Sequence, residues 1–365
     1  MKIKKKLQQI FKKNIQKIFI FFHGRIFYEN NYNFLKENSL NKIKKININN
    51  LNYSCYIIGN GILYTDLVES VSVISNKNLV PGANFQKINN ILVNDDKNIS
   101  LVKGTPRIKK KINGTVASLI QDASGKNYAH WLLDILPKLE ILRKAISIDS
   151  VDYFLLPDLK YNFQYETLKS LNIPLKKMLN SRLNRHLQAK KLIVMDHPWY
   201  HKGSVHDEMV NIHEWTVKWL RTKFLKIVEY KAENLKIFID RTDSIFDHCQ
   251  IINSKDLWNL LKKKGFKKYK LSEINFNDQV NLFNSANTIV GAHGAGFANT
   301  IFSRPNTKII EIKPIYHKNE YINKISKINN LNHKVIISEK IEINGIEEPG
   351  DIFVDLNNLE KILDA

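Results

Sequence analysis

The sequence predicts an α/β protein of two domains, and three observations carry that reading. Short apolar runs alternate with segments of helical period through most of the chain, the pattern of a parallel sheet flanked by helices. Residues 287–312, NTIVGAHGAGFANTIFSRPNTKIIEI, read as a strand, a glycine-rich turn, a helix opening near Gly296 and a second strand after Pro305. A length of 365 residues exceeds what one core of ordinary size organises and suits two. The expected arrangement is two facing α/β domains with the carboxyl ends of their strands lining a cleft.

The elements follow in order. The basic start, MKIKKKLQQIFKKNIQKIFIFFHGR, has an apolar run at residues 18–22 but no adequate signal-peptide core or small-residue cleavage site. No apolar run approaches the ~20 residues that span a bilayer. The segment reads as a basic amphipathic helix, either resting on an anionic membrane or solvated and packed as a first helix. Residues 25–50, rich in Asn and Lys, read as irregular, so residues 1–50 form a basic N-terminal segment.

From Tyr53, short apolar runs with turns at Gly59-Asn60-Gly61 and Pro81-Gly82 predict an antiparallel or mixed entry region. NYAHWLLDILPKLEILRKA has helical spacing, with Asn127 as a cap and a kink at Pro137. VDYFLLP, FQYETLKSLNI and KKLIVM alternate strand, helix, strand, and residues 205–228 read as one long helix closing a domain over 51–230. Residues 229–234 are the expected linker. The domain at 231–365 starts with the strand LKIFIDR, then a helix capped by Ser254 and stopped at Gly265, a short strand and the helix FNDQVNLFNSA. After residues 287–312 come a helix near 321–328, the strand HKVIIS, and DIFVDLNNLEKIL as a strand leading into a final helix.

Composition bounds the function. Hydrophobic residues make up 43% of the chain, enough for sizeable cores. The net charge of +21 favours anionic partners, yet its lysines are interspersed with Asn and Ile in every region, as in a chain-wide bias. No zinc-finger spacing, aromatic RNA-binding pair or basic heptad helix is present, and no nucleic-acid partner is expected. Cys55 and Cys249 form neither a disulfide framework nor a metal-spacing motif, and a reducing cytoplasm is the simpler compartment.

Several residues carry candidate chemistry. His130 and Asp134 share a helix face at a spacing of four, where either could serve as a base or the acid could orient the imidazole; the competing reading is a wet aspartate beside a half-buried histidine. Gly291, Gly294, Ala295 and Gly296 form a turn whose free amides and following helix favour an anion, with His293 and Asn299 beside it. His293 is read with little side-chain packing around it, as a phosphate donor, a proton carrier or a structural histidine. Arg241 follows a strand, where it either clamps a diphosphate or pairs with Asp240, Asp243 or Asp247. Glu311 reads as a ribose acceptor or a solvated edge carboxylate. The glycine order is neither a dinucleotide fingerprint nor a P-loop, and adjacent His248 and Cys249 lack metal-ligand spacing.

The residues Asn127-Tyr-Ala-His-Trp-Leu-Leu-Asp134 with Pro137, the Glu166 segment, Ile239-Asp-Arg241, Asn253, Gly265-Phe266, and Ile289-Val-Gly-Ala-His-Gly-Ala-Gly-Phe-Ala-Asn299 with Phe302, Pro305 and Glu311 run in one order over residues 110–330. In this the chain resembles glycosyltransferase family 61, which includes bacterial capsule and lipopolysaccharide enzymes, plant xylan-decorating transferases and O-linked N-acetylglucosaminyltransferases of the secretory pathway.

The resemblance implies a GT-B-like architecture of two Rossmann-like domains. It implies inverting transfer from a nucleotide sugar to a saccharide or lipid-linked acceptor, with no cofactor and usually no metal. The C-terminal domain would then hold the donor, with Arg241, the turn 291–296 and Asn299 neutralising the diphosphate and Glu311 contacting the nucleoside. His130 and Asp134 would face the acceptor. The expected location is the cytoplasm, touching the inner membrane where lipid-linked acceptors lie. In one respect the chain departs from the family. The family's paired arginines read here as Asp240-Arg241, and a further arginine is replaced by Asp247-His248-Cys249-Gln250 ahead of Asn253. His248 substitutes only in part, being often neutral near pH 7. The alternative is a catalytically decayed member that binds nucleotide sugars or glycans.

Overall fold

A computed structural model describes residues 2–365 except 66–69, 90, 121–124, 202, 205–208, 226–233, 243–248, 315–316, 318, 339–341, 344–345 and 348–350. The chain has a mixed α/β fold with two distinct sheet regions, and it divides into two compact units. The first comprises Met1–Tyr161 and Asn172–Glu208, the second Asn162–Leu171 and Met209–Ala365. Most of the expected linker, 229–233, lies outside the described residues.

In the first unit, twelve strands form one sheet. Its centre is His186–Met195, a ten-residue strand whose apolar residues Leu187, Leu192 and Ile193 are fully buried. One side of this strand runs parallel to Lys110–Ser118, which continues in parallel to Tyr153–Leu156 and Met178–Asn180. Its other side runs antiparallel to Ile62–Thr65 and Leu51–Gly59. The parallel character is therefore confined to four strands, and the meander from residue 42 to 92 supplies the antiparallel part.

The reading of residues 25–50 as irregular is corrected by the strand Lys42–Ile48, which pairs antiparallel with Leu51–Gly59. Its lysine-rich, mostly exposed pattern concealed it. The turn explains its register: Asn49 and Asn50 have φ of 49° and 65°, the backbone that a two-residue hairpin loop of matching twist requires and that asparagine tolerates. Asn76 and Lys77 repeat the device between Ser70–Ser75 and Asn78–Leu79.

The second unit holds a five-stranded parallel sheet in the order Lys267–Lys270, Leu235–Asp240, Ala286–Ala292, Lys308–Lys313, Asn332–Ile337. In chain order this is 2-1-3-4-5, so the winding reverses between Leu235–Asp240 and Ala286–Ala292. Such a switch point leaves a crevice at the carboxyl ends of the two strands. The helix Asn162–Ser170 belongs here, and Glu166 Oε2 accepts the first amide of the helix Phe276–Ser285, from Phe276 N, at 2.6 Å. The single helix expected over 205–228 is instead a short 3₁₀ turn at Met209–Asn211 followed by Glu214–Phe224, its outer parts lying outside the described residues.

The asparagine turn generates a stability prediction. Asn50→Val should cost about 1–2 kcal/mol in urea unfolding, because a β-branched side chain is disfavoured at positive φ, whereas Asn50→Gly should stay close to wild type.

Candidate active site

The first unit gathers its polar groups at the carboxyl ends of its parallel strands. Asn127 caps the helix that follows, its side chain accepting from Ala129 N at 2.9 Å and His130 N at 3.2 Å. Beyond Trp131 the helix widens: Leu136 N reaches back five residues to Trp131 O at 3.2 Å before Pro137 interrupts the ladder. Such widened turns accommodate a proline that cannot donate. His130 immediately precedes this turn and Asp134 lies within it, His130 Nδ1 lying 2.8 Å from Asp134 Oδ2.

Asp134 is buried, so its charge must be met by donors. Trp199 Nε1 donates to Oδ1 at 3.2 Å, and His197 Nε2 lies 3.7 Å from Oδ2. The His197 tautomer is fixed by its backbone: the N–H groups of Trp199 and Tyr200 both point at Nδ1, at 3.2 and 2.8 Å. The proton must therefore sit on Nε2, facing Asp134. Burial raises the Asp134 carboxyl, but His130 and His197 outweigh it and hold it well below the usual carboxylate range. Burial lowers His197 despite the pull of Asp134, consistent with a neutral ring.

Lys138, one helical turn beyond Asp134, is also buried, its Nζ 3.4 Å from Ile120 O. Burial pushes its ammonium down to about 8 against the opposing charges of Asp134 and Asp196. Lys138, Asp196, His197, Tyr200 and His201 line a cavity of about 120 Å³.

In the second unit the site forms at the switch point. Arg241 follows the strand Leu235–Asp240, and its Nη1 donates to the carbonyl of His293. Gly294 makes this possible: a Cβ there would lie 2.6 Å from Arg241 Cζ. The glycine thus admits the protein's own guanidinium. Tyr321 Oη holds the turn by donating to Gly294 O at 2.6 Å. The helix expected near Gly296 is a 3₁₀ helix, Ala295–Phe302. Its first amides lack a helical acceptor, and Ala295 and Gly296 are half-exposed. Gly291 packs against Ile239 and Phe297.

The expectation that few side chains surround His293 is corrected. His293 is buried, its ring centroid 3.9 Å from that of His317 and 5.7 Å from that of Tyr321. Its small sequence neighbours make room for side chains arriving from other elements. His293 Nδ1 bonds Glu311 Oε1, and His333 Nε2 bonds Glu311 Oε2 at 2.9 Å. Glu311 is accordingly a buried acceptor for two histidines and not a solvated edge carboxylate. Burial raises its carboxyl, but the two histidine hydrogen bonds prevail and hold it at about 2.

The structure thus joins His130 with Asp134, and Arg241, His293, Gly294 and Glu311 with one another. Asn299 is fully buried and donates to Gln279 Oε1 at 2.9 Å, tying the 3₁₀ helix to Phe276–Ser285. Asn253 brackets the C-terminal segment, donating to Val354 O at 2.9 Å and accepting from Val354 N at 3.0 Å. His248, with Asp243 and Asp247, lies outside the described residues.

Sequence reasoning passed over His197, Trp199, Lys138, His317 and His333. His197 and Trp199 follow the apolar strand KKLIVM, the same cue that singled out Arg241. Among the described residues, no group of three or more His, Cys, Asp and Glu is arranged to hold a metal ion.

Glu311 yields a pH prediction. Its folded pKa is depressed from 4.5 to about 2, so its stabilisation is present above the ordinary glutamate range and lost as pH falls between those values. At about 1.4 kcal/mol per pKa unit, the loss should reach a few kcal/mol. Glu311→Gln should flatten that part of the stability curve in urea unfolding between pH 5 and pH 2, as set by these two values.

Comparison with known proteins adds one match. The sequence model of the family described as Glycosyltransferase 61 matches residues 128–310, half of the chain. The match begins two residues before His130 and ends one before Glu311. No curated protein matches the chain.

Proposed function

The chain belongs to glycosyltransferase family 61, and from that premise we propose an inverting, metal-independent transferase. It moves a sugar from a nucleotide sugar to a saccharide or lipid-linked acceptor in surface-polysaccharide biosynthesis. Labour is divided in a GT-B-like way, with acceptor chemistry in the first unit and donor binding in the second. The observation that carries the reading is the His130–Asp134 pair, 2.8 Å apart, with the carboxylate buried and held by Trp199.

In this reading His130 is the base and Asp134 its orienter. A proton held between Nδ1 and Asp134 directs the basic lone pair to Nε2, where an acceptor hydroxyl is deprotonated as its oxygen attacks the anomeric carbon. The bond from that carbon to the diphosphate breaks as the new bond forms, the leaving group departs with the electron pair, and the configuration inverts. Asp134 stabilises the imidazolium produced. It cannot itself reach an acceptor without giving up the donors that balance its burial.

On the donor side, Arg241 and the first amides of the 3₁₀ helix supply the positive field that stabilises the negative charge a diphosphate gains on leaving. These groups support metal independence, since fixed cations and dipoles do the work of a Lewis acid. Glu311 acts through His293, holding the imidazole and, with Tyr321, the turn that positions Arg241.

Titration calorimetry with nucleoside diphosphates in the presence of a chelator tests the donor site: binding is expected, and its absence for every nucleoside would sink the reading. Arg241→Ala and Gly294→Ala should each weaken donor binding about tenfold or more, the latter by displacing the guanidinium. His130→Ala should lower kcat by about 10²–10⁴-fold with donor affinity unchanged. Donor binding without any turnover in the wild type would favour a decayed, nucleotide-sugar-binding member.

A further inference from the structure

A second feature of the first unit lies away from the residues assigned to sugar transfer and does not depend on them. The helix Lys2–His23 contains seven lysines and no acidic residue. Its last turn is seated on the unit: His23 Nε2 lies 3.1 Å from Arg107 O, which also receives His186 Nδ1 at 2.8 Å. Ile20 packs so closely on Gly104 that a Cβ there would lie 2.7 Å from it. Seated this way, the helix turns large apolar side chains outward, Phe21 at 84% exposure and Phe22 at 73%.

Two other segments bring matching groups to the same place. Ile108 is 81% exposed and Leu183 68%; Arg107 and Lys109 flank the first, and Arg182 precedes the second with Arg185 two residues beyond it. Phe19, Ile108 and Leu183 join Arg107, Lys110, Arg182 and Arg185 around a cavity of about 380 Å³. Among the described residues that line it, four are Arg or Lys and none is acidic. Arg182 also leans on Asp158 at 3.4 Å, and Arg185 donates to Thr65 O at 3.3 Å, contacts that hold the two side chains in place.

Exposed phenylalanine and aliphatic tips set among cations, with a cationic apolar-walled cavity between them, match one kind of partner. Apolar tips enter the acyl boundary, cations meet anionic headgroups, and the cavity takes a phosphate together with the start of its lipid. No helix of the described residues is long and apolar enough to cross a membrane. We propose that this face docks the protein on an anionic bilayer surface, with the cavity holding a lipid phosphate.

The test is co-sedimentation of the full chain with phosphatidylcholine vesicles, with and without phosphatidylglycerol. Binding is expected only to the anionic vesicles, falling as salt rises. Arg107→Glu with Lys110→Glu should weaken it at least about fivefold for each cation removed, and Phe21→Ser with Ile108→Ser should weaken it at unchanged charge. Both variants should keep the wild-type far-UV circular dichroism and thermal unfolding midpoint, which reports that they fold. Equal binding to both vesicle types, wild-type binding by the charge variant, or capture by inorganic phosphate or duplex DNA with no binding to vesicles would overturn the proposal.

Discussion

The burial of the Asp134 carboxylate is the constraint around which the first unit's polar interior is built. A buried negative charge is tolerated only when donors replace the water it has lost. Three elements are enlisted: the widened helix brings His130, the segment after the central strand brings His197 and Trp199, and the next helical turn brings Lys138. Each of these is constrained in turn. Two backbone amides set the ring of His197. The geometry around His130 is therefore inherited from the sheet, by way of a single anion.

The second unit solves the opposite problem, presenting a cation at a crevice. Arg241 is held at the switch point by a carbonyl it can reach only because residue 294 has no side chain. Behind the turn, Glu311 joins His293 of the turn and His333 of the strand Asn332–Ile337 into a buried cluster. Rigidity here comes from packing and hydrogen bonding beneath the turn. The glycines give the space, and His317 and Tyr321 fill what remains.

Much of this was legible in the sequence, for identifiable reasons. The parallel sheet of the second unit follows strong apolar runs broken by helical periods, and Leu235–Asp240, Ala286–Ala292 and Tyr321–Ile328 were readable because periodicity was clean. The His130–Asp134 contact was accessible because four residues on a helix define one face. Lys42–Ile48 was not, since its strand character arises from pairing and from two asparagines at positive φ. The joining of His333 to Glu311 depends on parallel register between Lys308–Lys313 and Asn332–Ile337, a relation no local pattern encodes. Buried Lys138 resembles any lysine on an amphipathic helix until its surroundings are known.

The passage of Asn162–Ser170 into the second unit has a consequence for how the molecule is made. The chain crosses between the units three times, after Tyr161, after Leu171 and after Glu208. A single cut cannot separate them, for each fragment would keep or lose a helix that belongs to the other. During synthesis that helix emerges before its partners, and Glu166 must wait for the amide of Phe276, 110 residues later. Completion of the second unit is thus tied to a segment that lies, in sequence, between two stretches of the first, and the order of assembly is written into the connectivity.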